Sequence, residues 1–139
     1  MTEYHTKLTK LVSFDALARF LETRGAAPPT EFEVFEGELN ALMRQVEAEL
    51  TGAELARYNV EVEQIVVDGQ VMRRVLADEP KQYLTSAGPV TVARSLFRAV
   101  GASRSICPLD LRAGIVGGLA TPRLARQVCF LMGHLTSAD

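Results

Sequence analysis

The chain has 139 residues, 47% of them hydrophobic and 23% charged, with a net charge of −2, the balance of an ordinary globular protein able to build a core. Without Trp and with only 6% aromatics, that core must rest on Leu, Val, Ala and Ile. The opening residues MTEYHTKLTK hold no apolar signal segment, and no apolar run approaches the roughly 18 residues of a membrane span, so a cytoplasmic protein is expected.

The charge is unevenly placed. Residues 1–58 carry six Lys/Arg against ten Asp/Glu, and residues 59–139 carry nine against seven. Between 81 and 130 the only acid is Asp110, among seven cations. Such an imbalance fits either solvated arginines scattered around a small domain or a surface that meets a polyanion.

The first predicted element is the helix SFDALARFLETRG. Ser13 serves as its N-cap, Asp15 favours the positive end of its dipole, and Phe14, Leu17, Ala18 and Leu21 form its apolar face. Gly25 is expected just past its end, and Pro28-Pro29 forbids continuation. Thr30 to Glu33 then reads as a capping box. Phe32, Phe35, Leu39, Leu42, Met43, Val46 and Leu50 extend a helical stripe from there, with Gly52 as its stop or bend. A stripe of this length on an acidic helix, Thr30 to Leu50, covers the domain's own sheet or forms a homodimer face.

The hydrophobic period then shortens to that of strands. VEVEQIVVDGQVMRRVL places two β-rich runs around Asp68-Gly69, the dipeptide suited to a two-residue type I′ turn. QYLTSAGPVTVARSLF repeats the pattern around Ser86 to Pro89. The prediction is a four-stranded antiparallel meander of two hairpins. On its last strand Val90, Val92, Arg94 and Leu96 share one face, and Thr91, Ala93, Ser95 and Phe97 the other. One face is expected under helices and the other partly wet. A short turn from Leu111 to Val116, helped by Asp110, is expected to end at Gly117-Gly118. Thr121 and Pro122 then open the last helix, whose stripe is Leu124, Val128, Leu131, Met132 and Leu135. Arg123 and Arg126 lie off that stripe near the helix start, where cations oppose the dipole. The fold class is therefore α+β in a single domain over 1–139: helical to 58, an antiparallel sheet over 59–100, then a loop and C-terminal helix.

No catalytic constellation emerges. The chain has no GxSxG, P-loop, HExxH or GxGxxG, and Gly114 to Gly118 lacks the phosphate-loop lysine. Cys107 and Cys129 read as reduced thiols, and with only His5 and His134 beside them, and no CxxC, they make neither a zinc site nor a place for another cofactor. The chain reads as a non-enzyme.

The pieces VDGQVMRRV, YLTSAGPVTVARSLFR, ICPLDLRAGIVGG and TPRLARQVCFLMGHLT, in this order from about Val60 to Leu135, resemble the N-terminal region of bacterial insertion-sequence transposases of the Kra-type group. Phe97 stands where that pattern has Tyr, and of the paired CPxCG knuckles of such relatives only Cys107 is kept. The resemblance implies a non-catalytic N-terminal module, lacking the DDE carboxylates of the downstream core, that binds DNA or assembles a transposition complex. Arg94, Arg98, Arg104, Arg123 and Arg126 are the expected phosphate contacts. The alternative is a homo-oligomeric interaction domain with no nucleic-acid role.

Overall fold

The computed structural model describes residues 12–29 and 31–136, so His5 and the Thr30 cap lie outside the described residues. The chain divides into two compact units, one up to Ala53 and one from Glu54.

The first unit is built on α1 (Val12–Ala26) and most of α2 (Phe32–Ala56). Ser13 is not the N-cap, because the helix already includes Val12. Its amide is instead one of the first-turn donors that no helical carbonyl can reach, and it donates to Glu49 Oε2 of α2 at 3.0 Å. At the other end the Phe20 and Phe35 rings stack with centroids 5.9 Å apart, and the Arg24 guanidinium lies 4.9 Å from the Phe35 centroid. Arg24 also faces Glu38 at 3.8 Å. α1 runs on through Gly25 to Ala26, and α2 through Gly52 to Ala56. A glycine inside a helix costs about 1 kcal/mol relative to alanine, too little to end a helix that packing supports on either side.

The second unit carries the sheet. β1 (Gln64–Val67) pairs antiparallel with β2 (Gln70–Thr85), and β2 with β3 (Gly88–Ala99). Asp68 and Gly69 have φ of 51° and 77°, the two left-handed residues that a type I′ turn requires. At the second turn Thr85 pairs with Gly88, and the Thr85 hydroxyl accepts from the Ala87 amide and donates to the Gly88 carbonyl.

Among the described residues there are three strands rather than four. The runs expected as the second and third strands are one continuous β2, interrupted by two irregularities in its register with β3, between Arg74 and Leu76 and between Leu76 and Glu79. Asp78, with φ of 53°, occupies the second. Bulges of this kind let a strand bend and twist without ending, which is why turn-like residues in ADEPK did not break it. Pro80 is tolerated inside β2 because β1 reaches only to Arg73, so no described strand needs a donor on that edge beside Pro80.

The covered face also changes along β3. Directly paired residues share a face, so Tyr83, Val90 and Val92 lie together and are buried, while beyond Arg94 the buried residues are Ser95, Phe97 and Ala99 on the opposite face. The expectation of one face under helices and the other wet therefore gives way to burial that changes sides along the strand. The outer edge of β3 is engaged at two residues. Phe97 exchanges both backbone hydrogen bonds with Ile106, and the Ser95 amide donates to Asn59 Oδ1 at 2.9 Å.

Two helices complete the unit. α3 (Pro108–Ala113) has Pro at its first position and ends at Gly114, left-handed with φ of 69°. The helix thus stops three residues before Gly117-Gly118, which turn the chain between the paired Val116 and Ala120 instead. A side chain at 114 would be strained by that φ, and its Cβ would lie 3.3 Å from Pro122 Cγ. Leu84 then takes a hydrogen bond from Thr121 and gives one to Leu119, and α4 (Pro122–Thr136) leaves from there. The protein is thus α+β, and among its described residues no helix is long and apolar enough to cross a membrane.

Candidate functional site

Three places in the second unit collect the chemistry. The first is a partly buried polar cluster. Tyr83, fully buried on β2, donates its hydroxyl to Asp110 Oδ1 of α3 at 2.5 Å. Arg94 on β3 donates Nε to Glu79 Oε2 at 2.8 Å and faces Asp110 Oδ2 at 3.5 Å. Glu79 and Arg94 are cross-strand partners, and the bulge beside Asp78 sets that pairing.

Burial, and then the Asp110 carboxylate, push the Tyr83 hydroxyl well above its usual value, so it stays a proton donor. Burial works against the Arg94 cation, but the hydrogen bonds to Glu79 and Tyr83 outweigh it and hold the guanidinium protonated more firmly than usual. Burial also pushes the neighbouring Cys107 thiol up, away from the reactive thiolate. The cluster engages both Asp110 oxygens and leaves Tyr83 no exposed surface. It is a clamp that holds α3 on the β2–β3 hairpin.

The second place is the far end of that hairpin. Arg98 is exposed, with Nε and Nη2 at 3.1 and 3.0 Å from Ser105 Oγ, and lies directly opposite Arg73 of β2. Arg104 precedes Ser105 and is exposed too. The neighbouring Arg74 is neutralised by Glu63 at 2.6 Å, whereas neither Arg73, Arg98 nor Arg104 has a carboxylate partner among the described residues. Arg123 and Arg126 stand exposed on α4, Arg126 with Nε 3.4 Å from the Pro122 carbonyl.

The five arginines singled out in the sequence are thus distributed, not gathered. Arg94 is taken into the clamp, Arg98 and Arg104 sit at one end of the hairpin, and Arg123 and Arg126 follow the other end, where Thr121 meets Leu84. From Leu84 back to Arg73, β2 covers about 36 Å at most, at about 3.3 Å per residue. Sequence reasoning misses Arg73 because only the strand register places it against Arg98. It misses the clamp too, since Tyr83, Asp110 and Glu79 are far apart in sequence and no short motif links them.

The third place is α4. From Arg126 to Leu135 every residue is exposed, among them Val128, Phe130, Leu131, Met132 and Leu135, with Leu135 at 71%. His134 packs edge-on to the Phe130 ring, with centroids 4.2 Å apart. Arg123, Leu124, Val128 and Leu131 line part of an open groove of about 850 Å³ along this helix.

Among the described residues no three His, Cys, Asp or Glu side chains come together as metal ligands. Cys107 is buried and Cys129 exposed, both as free thiols. Comparison with protein families, with curated proteins and with solved structures gives no match to this chain.

Proposed function

We propose that the chain is a non-catalytic module of the transposase type that contacts the DNA backbone through Arg73, Arg98 and Arg104. The observation that supports this reading is the placement of Arg73 directly opposite Arg98, both exposed and neither neutralised by a described carboxylate. Like charges facing each other across two strands cost roughly 0.2–1 kcal/mol, and a bound phosphate turns that cost into an attraction. Backbone contacts of this kind fix the position of a duplex without reading its bases. Arg123 and Arg126 meet the same duplex near one helical turn away, about 34 Å. Arg94 takes no part, being committed to Glu79 and Asp110.

Fluorescence anisotropy with two unrelated 30-base-pair duplexes tests the reading. Affinity should fall steeply with salt and be alike for both sequences. Replacing Arg73, Arg98 and Arg104 with Ala should flatten the salt slope by about 0.9 for each phosphate no longer neutralised. Binding indifferent to salt, or an unchanged slope in the triple variant, removes the DNA role. The transposase origin rests on the sequence resemblance, and a DDE core read in frame with this module would support it. A second reading, self-association without any nucleic-acid role, is favoured by the exposure of α4.

A further inference from the structure

We infer that Ser105 is a positioning residue of the phosphate contact, holding the Arg98 guanidinium in the orientation that meets a phosphodiester; this rests on the DNA-backbone reading of Arg73, Arg98 and Arg104. An exposed arginine has a long stem whose rotamer entropy must be given up when the side chain is fixed on a ligand. A partner that fixes it beforehand removes part of that loss.

Backbone pairing puts Ser105 where it can do this. Phe97, next to Arg98, exchanges hydrogen bonds of 2.9 and 2.8 Å with Ile106, next to Ser105. In an antiparallel bridge the residue after one partner lies across from the residue before the other, so Ser105 stands beside Arg98 on the side away from Arg73. Both flanks are anchored, since Phe97 is fully buried and Cys107 and Pro108 are buried beyond Ile106. The exposed residues 100–104 only bring the chain back to this point.

Guanidinium geometry decides which edge is used. Arg98 donates from Nε and Nη2 to a single acceptor, Ser105 Oγ, at 3.1 and 3.0 Å. Two donors from one edge of a planar fork fix both the place and the plane of the group, which one bond does not. Three of the five N–H groups remain, one on Nη2 and both on Nη1, and the edge between these nitrogens can grip a phosphate bidentately. A carboxylate would hold the guanidinium equally well but would cancel its charge, as Glu63 does for Arg74 at 2.6 Å. Ser105 is neutral, so it holds the cation and leaves its charge to the ligand.

Anisotropy with the same two duplexes at one low salt concentration tests this on the full chain, with folding of each variant checked by circular dichroism. Ser105→Ala should weaken binding about three- to tenfold, the loss expected when one rotamer-rich side chain has to be immobilised on binding. Ser105→Thr keeps the hydroxyl and should stay within about twofold of the parent. In an Arg98→Ala background Ser105→Ala should cost nothing further, because the serine acts only through the guanidinium. Without DNA, nitrogen-15 relaxation should show a restrained Arg98 Nε that Ser105→Ala releases. Equal losses from Ser105→Ala with and without Arg98 overturn the inference, as does an Arg98 Nε no more restrained in the parent than in Ser105→Ala. Either result leaves the DNA reading standing if Arg98→Ala still weakens binding. A parent chain without salt-dependent binding to either duplex overturns both.

Discussion

Tyr83 on β2 and Asp110 on α3, 27 residues apart in sequence, share a 2.5 Å hydrogen bond from the phenolic hydroxyl to Oδ1. The bond joins a fully buried ring to a carboxylate whose other oxygen faces Arg94, so hairpin and short helix are locked through one acid.

Tyr83→Phe keeps the ring and removes only the donor. A hydrogen bond to a charged group contributes about 1.5–3 kcal/mol, so the urea midpoint should drop by that equivalent with an unchanged m-value. A loss below a few tenths of a kcal/mol would show that the clamp is not holding the fold.

The same bond predicts how stability responds to alkali. Tyr83 and Cys107 both have folded-state values raised above their ordinary ones, so the native state keeps its protons longer than the unfolded chain does. Their contribution is complete below the unfolded values, near 9 for the thiol and 10 for the phenol, and is lost as pH rises beyond them. The thermal midpoint should fall between about pH 9 and 11, and Tyr83→Phe should show a shallower fall.

Arg94→Ala leaves Glu79 and Asp110 together without their cation. Breaking a buried pair costs about 3–5 kcal/mol, and the partial exposure of these side chains brings the expectation to about 2–3 kcal/mol in chemical denaturation. The salt slope of any duplex binding should be unchanged, in contrast to Arg98→Ala.

Asp78 holds a φ of 53° in the bulge that sets Glu79 against Arg94. Asp78→Gly relieves this conformation at some cost in chain entropy and should stay within about 1 kcal/mol of the parent. Asp78→Val puts a β-branched residue where φ is positive and should destabilise by about 1–3 kcal/mol. Equal stability of the two variants would contradict the bulge.

Glu49 reports on the first unit. The Ser13 amide, donating to its carboxylate, holds Glu49 below the usual value, so its contribution is present above about pH 4.5 and disappears as pH falls through the lowered folded value. Glu49→Gln should cost about 1 kcal/mol at neutral pH and remove that part of the acid slope, as followed by helical circular dichroism.

The chain determined by itself whatever depends on neighbours in sequence. Asp68-Gly69 dictated a type I′ turn because only such a pair accepts two positive φ angles, Thr121-Pro122 marked the start of α4, and alternation on β3 paired Val90 with Val92 and Ser95 with Phe97. Strand register decided the rest. Two irregularities in β2 let two expected strands run on as one and set Arg73 against Arg98, while Glu79 and Asp110 claimed Arg94. A guanidinium looks equally free at every position along a sequence. Whether it meets solvent, a carboxylate or another cation depends on residues tens of positions away, and only the folded chain brings those within a few ångströms.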